Sequence, residues 1–224
     1  MRKLTLGAGA LGATLVFATI AATRFGGWAV VSVDNLPEYF VAGKPLVLTF
    51  WVRQHGARPL GDLKPTVVAR SGLRTVHATA WQTPTEGSYR VSITVPKAAD
   101  WEITIDPEFG PSKAKLLPLK AIDSTHTVAA FSAADRGRQL FAAKGCVSCH
   151  VHRAVDIQTQ MQRGGAPDLS DRRFAADYLA KFLTDPSIKP PSTNAGSMPN
   201  PILREPEIAS LVAFINSERN LSSR

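Results

Sequence analysis

Cys146-Val147-Ser148-Cys149-His150 decides how this chain is read. Two thiols three positions apart add across the two vinyl groups of one porphyrin. The histidine that follows meets the iron from the same side, so Cys-x-x-Cys-His is the attachment signature of a c-type haem. Other readings of the cysteines stay open at this point. They could form an extracytoplasmic disulfide or a redox pair, although the redox motif normally follows a strand in a βαβ unit and none is visible here. A structural zinc needs four ligands, and the chain has no second cysteine pair.

Working outward, Ser132 and Asp135 make a capping box ahead of a helix, Gly137, Leu140 and Phe141 share one of its faces, and Gly145 closes it. After His150 an irregular polar stretch contains Gly164-Gly165-Ala166-Pro167-Asp168-Leu169. Phe174–Leu183 reads as a second helix with Tyr178, Leu179 and Phe182 inward, stopped by Asp185-Pro186. Pro186, Pro190, Pro191, Pro199 and Pro201 stiffen a loop around Ser197-Met198-Pro199. Glu205-Pro206-Glu207 opens a last helix whose apolar stripe is Ile208, Leu211, Val212 and Ile215.

From Ala133 to Ser217 this order of elements resembles a small class I cytochrome c. The resemblance implies one covalently attached haem c, held by Cys146 and Cys149, with His150 as one axial iron ligand and Met198 as the other. It implies that the Pro167 carbonyl accepts the free imidazole N–H of His150, and that Gly137 and Phe141 pack against the last helix near Phe214. A thioether is a soft ligand suited to haem iron, and Met/His ligation raises the potential. Met161 is a weaker distal candidate because it follows His150 by only 11 positions, whereas Met198 lies 48 beyond it. His152 is a further rival, but it sits too near His150 to reach the opposite face.

The N-terminal half reads differently. Arg2 and Lys3 precede an uncharged stretch from Leu4 to Thr23, an export signal or, uncleaved, a single membrane anchor within residues 1–27. Over residues 28–120 the pattern has period two. Leu46, Leu48, Phe50 and Val52 alternate with polar or edge positions, as do Tyr89, Val91, Ile93 and Val95, and Trp101, Ile103 and Ile105. Such alternation means half-buried antiparallel strands in a small sandwich, with a last strand near Leu116–Leu119. Trp28, Trp51, Trp81 and Trp101 are expected to fill its core and edges.

Ala42-Gly43-Lys44-Pro45 through Val52, Gly87–Val91 and Trp101–Ile103 resemble the immunoglobulin-like accessory domains of the FixH/YtkA type. A copper-carrier sandwich is a related reading, with His55 and His77 as its only histidines and no accompanying methionine. Residues 121–131 are expected to be a linker, containing His126, and 132–224 the haem domain. The fold class is therefore multidomain: an N-terminal signal or anchor helix, an all-β sandwich, then an all-α cytochrome c domain.

The 224 residues carry a formal net charge of +8. Residues 1–120 hold 14 Lys/Arg against 8 Asp/Glu and residues 121–224 hold 12 against 10, so the excess lies in the first half. The basic residues form no run, which argues against nucleic acid. The expected function is that of a non-enzymatic one-electron carrier or redox subunit in the periplasm or on the outer face of the cytoplasmic membrane. Its expected partners are redox proteins, including a larger membrane respiratory or photosynthetic complex. Two other classes remain: a haem-based sensor or peroxidase-like enzyme with a dissociable Met198, and a copper-handling accessory protein.

Overall fold

Alternation along residues 45–106 forces every second side chain to one side of each strand, so two such sheets must meet face to face. A computed structural model of the chain describes residues 27–124, 128–157, 166–189 and 197–217. The strands are β1 (Ala29–Val33), β2 (Tyr39–Val41), β3 (Pro45–Gln54), β4 (Arg58–Pro59), β5 (Thr66–Ser71), β6 (Arg74–Thr79), β7 (Trp81–Gln82), β8 (Ser88–Thr94), β9 (Ala99–Asp106), β10 (Ala114–Lys115) and β11 (Leu119–Ile122). Three helices follow: α1 (Ala133–Ala143), α2 (Ala176–Thr184) and α3 (Glu205–Ile215).

One sheet runs β1-β3-β8-β7 with β4 on β3. The other runs β2-β11-β9-β5-β6 with β10 on β9. Leu48, Phe50, Val52, Tyr89 and Val91 from the first sheet meet Val67, Ala69, Trp101, Ile103 and Ile105 from the second in a single buried core. The Tyr89 hydroxyl, buried there, donates to the Leu60 carbonyl at 2.8 Å and accepts from the Leu63 N–H at 3.1 Å, which pins the connection leading to β5.

Two sequence expectations are corrected. The pairing is not wholly antiparallel, because β11 lies parallel to β2 in the register Lys120–Tyr39, Ala121–Phe40 and Ile122–Val41. That strand starts at Leu119 and ends at Ile122, so Ala121 and Ile122 belong to the sheet and not to a linker, while Leu116 is buried ahead of it. Trp101 is buried in the core and Trp81 lies half exposed on the edge strand β7, in line with tryptophans at the core and its edges. The signal or anchor expected in residues 1–27 falls almost wholly outside the described residues, as do His126 and Met161. Among the described residues no helix is long and apolar enough to cross a membrane.

Helices α1 and α3 cross at Gly137. A β-carbon there would collide with the Ser210 carbonyl oxygen and lie 2.6 Å from Phe214 Cβ, so only hydrogen at this position permits the approach. Phe141 and Phe214 then pack with ring centroids 5.5 Å apart. Around them Leu140, Val147, Leu179, Leu183, Ile208, Leu211 and Ile215 form a second core. Helix α2 is rotated from the expected phase. Leu179 and Leu183 are buried, Tyr178 is exposed, and Phe182 is only half-buried, stacked on Tyr178.

The two cores interlock. Ala143 at the end of α1 belongs to the sandwich core, and Leu117 from the sandwich belongs to the helical core. Between them the buried Lys144 Nζ pairs with Glu207 Oε1 at 2.7 Å and donates to the Asp34 carbonyl at 3.3 Å. The other carboxylate oxygen of Glu207 accepts the Arg204 N–H at 3.0 Å and so caps α3.

Two substitutions test this scaffold by urea denaturation of the whole chain. Gly137→Ala should cost about 3 kcal/mol, since backbone blocks any local relief. Lys144→Met should cost about 3 kcal/mol because it strands the Glu207 charge in a largely buried site.

Candidate functional site

The C-terminus of α1 delivers the Cys-x-x-Cys-His segment. Gly145 takes the left-handed conformation (φ +79°), which ends the helix where a β-carbon would be strained. Cys146–Ser148 then forms one tight 3₁₀ turn. The Cys149 N–H donates to the Cys146 carbonyl at 3.2 Å and the His150 N–H to the same oxygen at 2.9 Å. Positions i, i+3 and i+4 of a turn share a side, so Cys146, Cys149 and His150 project together. Val147 is buried in the helical core and anchors the turn.

Pro167 lies against His150, with Nδ1 2.9 Å from the Pro167 carbonyl oxygen. A carbonyl can only accept, so Nδ1 must carry the proton and the imidazole lone pair is left on Nε2. Burial lowers the His150 pKa, with the Pro167 carbonyl partly opposing, so the ring is neutral near pH 7. The Pro167 segment is itself tied down. The Leu169 N–H donates to the Val151 carbonyl at 2.9 Å, and the Arg153 N–H to Ser170 Oγ at 2.9 Å.

The two cysteines are free thiols. Burial pushes the Cys146 thiol up to about 12, with the neighbouring Cys149 adding to it, and burial raises Cys149 as well. Redox-pair cysteines are built the opposite way, with a lowered pKa that supplies thiolate. The pair also lies on a helix-to-turn junction and follows no strand, which removes the other half of the redox-pair reading.

Met198 is half-buried and packs on the same apolar cluster as Cys146, together with Phe174 and Leu203. Its loop is held to α2 by Asn200 Nδ2, which donates to the Thr184 carbonyl at 3.2 Å. His152 is a core side chain. It is buried between Phe141 and Phe214, with centroids 5.9 and 4.3 Å away, and its Nδ1 accepts the Ala154 N–H at 3.2 Å. Nothing in the sequence marks His152 as a core side chain. His55 and His77 are exposed and far apart in the sandwich. Among the described residues no cluster of three or more His, Cys, Asp or Glu could hold a metal ion.

The donor set suits a haem: two thiols and a neutral imidazole on one turn, an oriented ring nitrogen, and a thioether on the same apolar cluster. Residues 134–218 match the model of the family described as Cytochrome c. This region is therefore a cytochrome c domain, which takes a covalently attached haem c and transfers electrons with redox partner proteins. No curated protein matches the chain. Among solved structures, the chain is similar to "ZirS C-terminal Domain" at 14% identity and a TM-score of 0.33, over 54% of this chain and 87% of that one. It is similar to "Structure of surface layer protein SbsC, domains 1-6" at 15% identity and a TM-score of 0.33, over 46% of this chain and 14% of that one.

The Pro167 segment carries a pH dependence. Hydrogen bonds from the Ser170 hydroxyl and N–H hold the Asp168 carboxyl below its ordinary range, and Arg153 adds to the effect. A carboxyl whose folded pKa is depressed contributes stability above its unfolded value, near pH 4, and that stability is lost as pH falls through the folded value. Thermal unfolding followed by circular dichroism should thus show a midpoint that drops below about pH 4. The drop should be smaller in Asp168→Asn.

Proposed function

We propose, from the cytochrome c domain at residues 134–218, that this protein is a monohaem c-type electron carrier facing the outside of the cytoplasmic membrane, working as a membrane-associated redox subunit or as a carrier between such complexes. The observation that carries the site assignment is the 2.9 Å contact between His150 Nδ1 and the Pro167 carbonyl, on the turn that bears both thiols. When bound, the haem supplies a single-electron iron couple. Cys146 and Cys149 are the groups that would bond it. His150 Nε2, kept neutral by burial and held in one tautomer by Pro167, would bind its iron. Met198 would supply the second iron ligand, from the loop that Asn200 ties to α2. Leu211, Phe214 and the rest of the helical core would back the group with apolar surface, which favours electron transfer with little rearrangement.

The external location rests on Arg2 and Lys3 ahead of the uncharged stretch to Thr23, and on the extracytoplasmic chemistry of haem attachment that the class I resemblance implies. The sandwich is read as the docking module that sets which complex the haem domain serves.

Mass spectrometry of the exported protein should show one added haem in the wild type and none in the Cys146→Ser/Cys149→Ser double variant. Met198→Ala should alter the absorption spectrum and lower the midpoint potential by on the order of 0.2 V, a fraction of the range that axial ligands span. Carbon monoxide is the discriminating probe. Slow or absent binding to the reduced wild type fits two retained axial ligands, and rapid binding at neutral pH would select the sensor or peroxidase-like class.

A further inference from the structure

Val30 on β1 lies between the two ends of the haem-ligating machinery. A β-carbon built on Gly145, the residue before Cys146, would collide with Val30 Cγ1 and lie 2.9 Å from the Val31 carbonyl oxygen. The other methyl of Val30 lies 3.5 Å from the β-carbon position of Gly56, in the turn between β3 and β4. That same Gly56 position is 3.0 Å from Pro199 Cγ and 3.3 Å from Pro199 Cβ. The sandwich thus touches both the residue before the first thiol and the residue after Met198.

The Gly56 turn is built to make this contact. His55 and Gly56 are both left-handed (φ +52° and +75°). The His55 N–H donates to the Trp28 carbonyl at 3.0 Å, the Gly56 N–H to Arg53 at 3.1 Å, and the Ala57 N–H to Gln54 at 3.0 Å. The His55 ring packs on Trp28 with centroids 5.2 Å apart. The Met198 loop is held by Asn200 on the Thr184 carbonyl. Pro199 therefore lies against a turn of the sandwich while the next residue ties its loop to the end of α2.

We propose that Gly56 and Val30 are positioning residues for the distal ligand: the sandwich presses Pro199 and thereby holds Met198 in its ligating position. This rests on the reading of Met198 as the distal ligand. Proline has a fixed φ, so a push on its ring passes to the Met198 peptide rather than being absorbed by rotation. A close-packed contact resists displacement of even a few tenths of an ångström. Crowding or loosening it shifts the Met198 peptide and raises the fraction of molecules in which the thioether is off the iron, and an added ligand reports that fraction directly.

The experiment is an imidazole titration of the ferric, haem-loaded full chain, read by its absorption spectrum, alongside the midpoint potential. Gly56→Ala places a methyl against Pro199. Gly43→Ala is its matched control, since Gly43 has nearly the same backbone (φ +76°) but nothing within 4 Å of its β-carbon position. Imidazole should bind Gly56→Ala about tenfold more tightly than Gly43→Ala, with a lowered potential. An affinity equal to that of Gly43→Ala overturns the proposal. If Gly56→Ala does not fold, Val30→Ala decides by the same criterion. Met198→Ala runs in parallel. If its spectrum and imidazole affinity match wild type, the ligand assignment falls and takes the brace with it. If Met198→Ala changes both and Gly56→Ala neither, the brace alone fails.

Discussion

Glu207 holds three parts of the molecule with one carboxylate. One oxygen caps the first turn of α3 and the other takes the buried ammonium of Lys144, which also reaches the Asp34 carbonyl of the sandwich. A buried pair of this kind adds little net stability over an apolar substitute, but its geometry admits few alternatives. Lys144 immediately precedes Gly145 and the haem-binding turn. Where that ammonium goes, the thiols follow.

The helical half depends on the same end of α1. Gly137 lets α1 approach α3, and that approach brings Phe141 and Phe214 together with His152 packed on both. The turn at Cys146 then faces the apolar cluster on which Met198 also rests. The proposed haem site needs its donors on a common side, and the packing of two helices supplies that order.

The sandwich is more than an appended domain. Ala143 is counted in its core, Leu117 is lent to the helices, and β1 runs beside the thiol turn. Such interlocking resists the independent motion expected of domains joined by a small polar interface. It gives the β-half a route to influence the electronic site that a flexible tether would not.

Much of this was legible in the residues alone. Period-two runs such as Leu46–Val52 and Trp101–Ile105 bury the side chains expected, because a pleated strand leaves no other choice. The Cys146–His150 turn was readable as a unit because its spacing puts two thiols and an imidazole on one turn, and the Gly137–Phe141 pair because close helix packing demands a missing side chain. Helix α2 shows the limit. Its two aromatics, Tyr178 and Phe182, lie four positions apart on one side, next to Leu179 and Leu183 at the same spacing, so local pattern favoured Tyr178 while the available core took Leu183. The parallel pairing of β2 with β11 was equally hidden, since partner choice between strands 78 residues apart leaves no trace in either strand. The contacts of Val30 with Gly145, of Gly56 with Pro199 and of Lys144 with Glu207 belong to tertiary structure entirely. Sequence by itself determined which groups are proposed to meet a haem. Only the folded chain decided what presses on them, because that depends on how two separately readable halves come to share one surface.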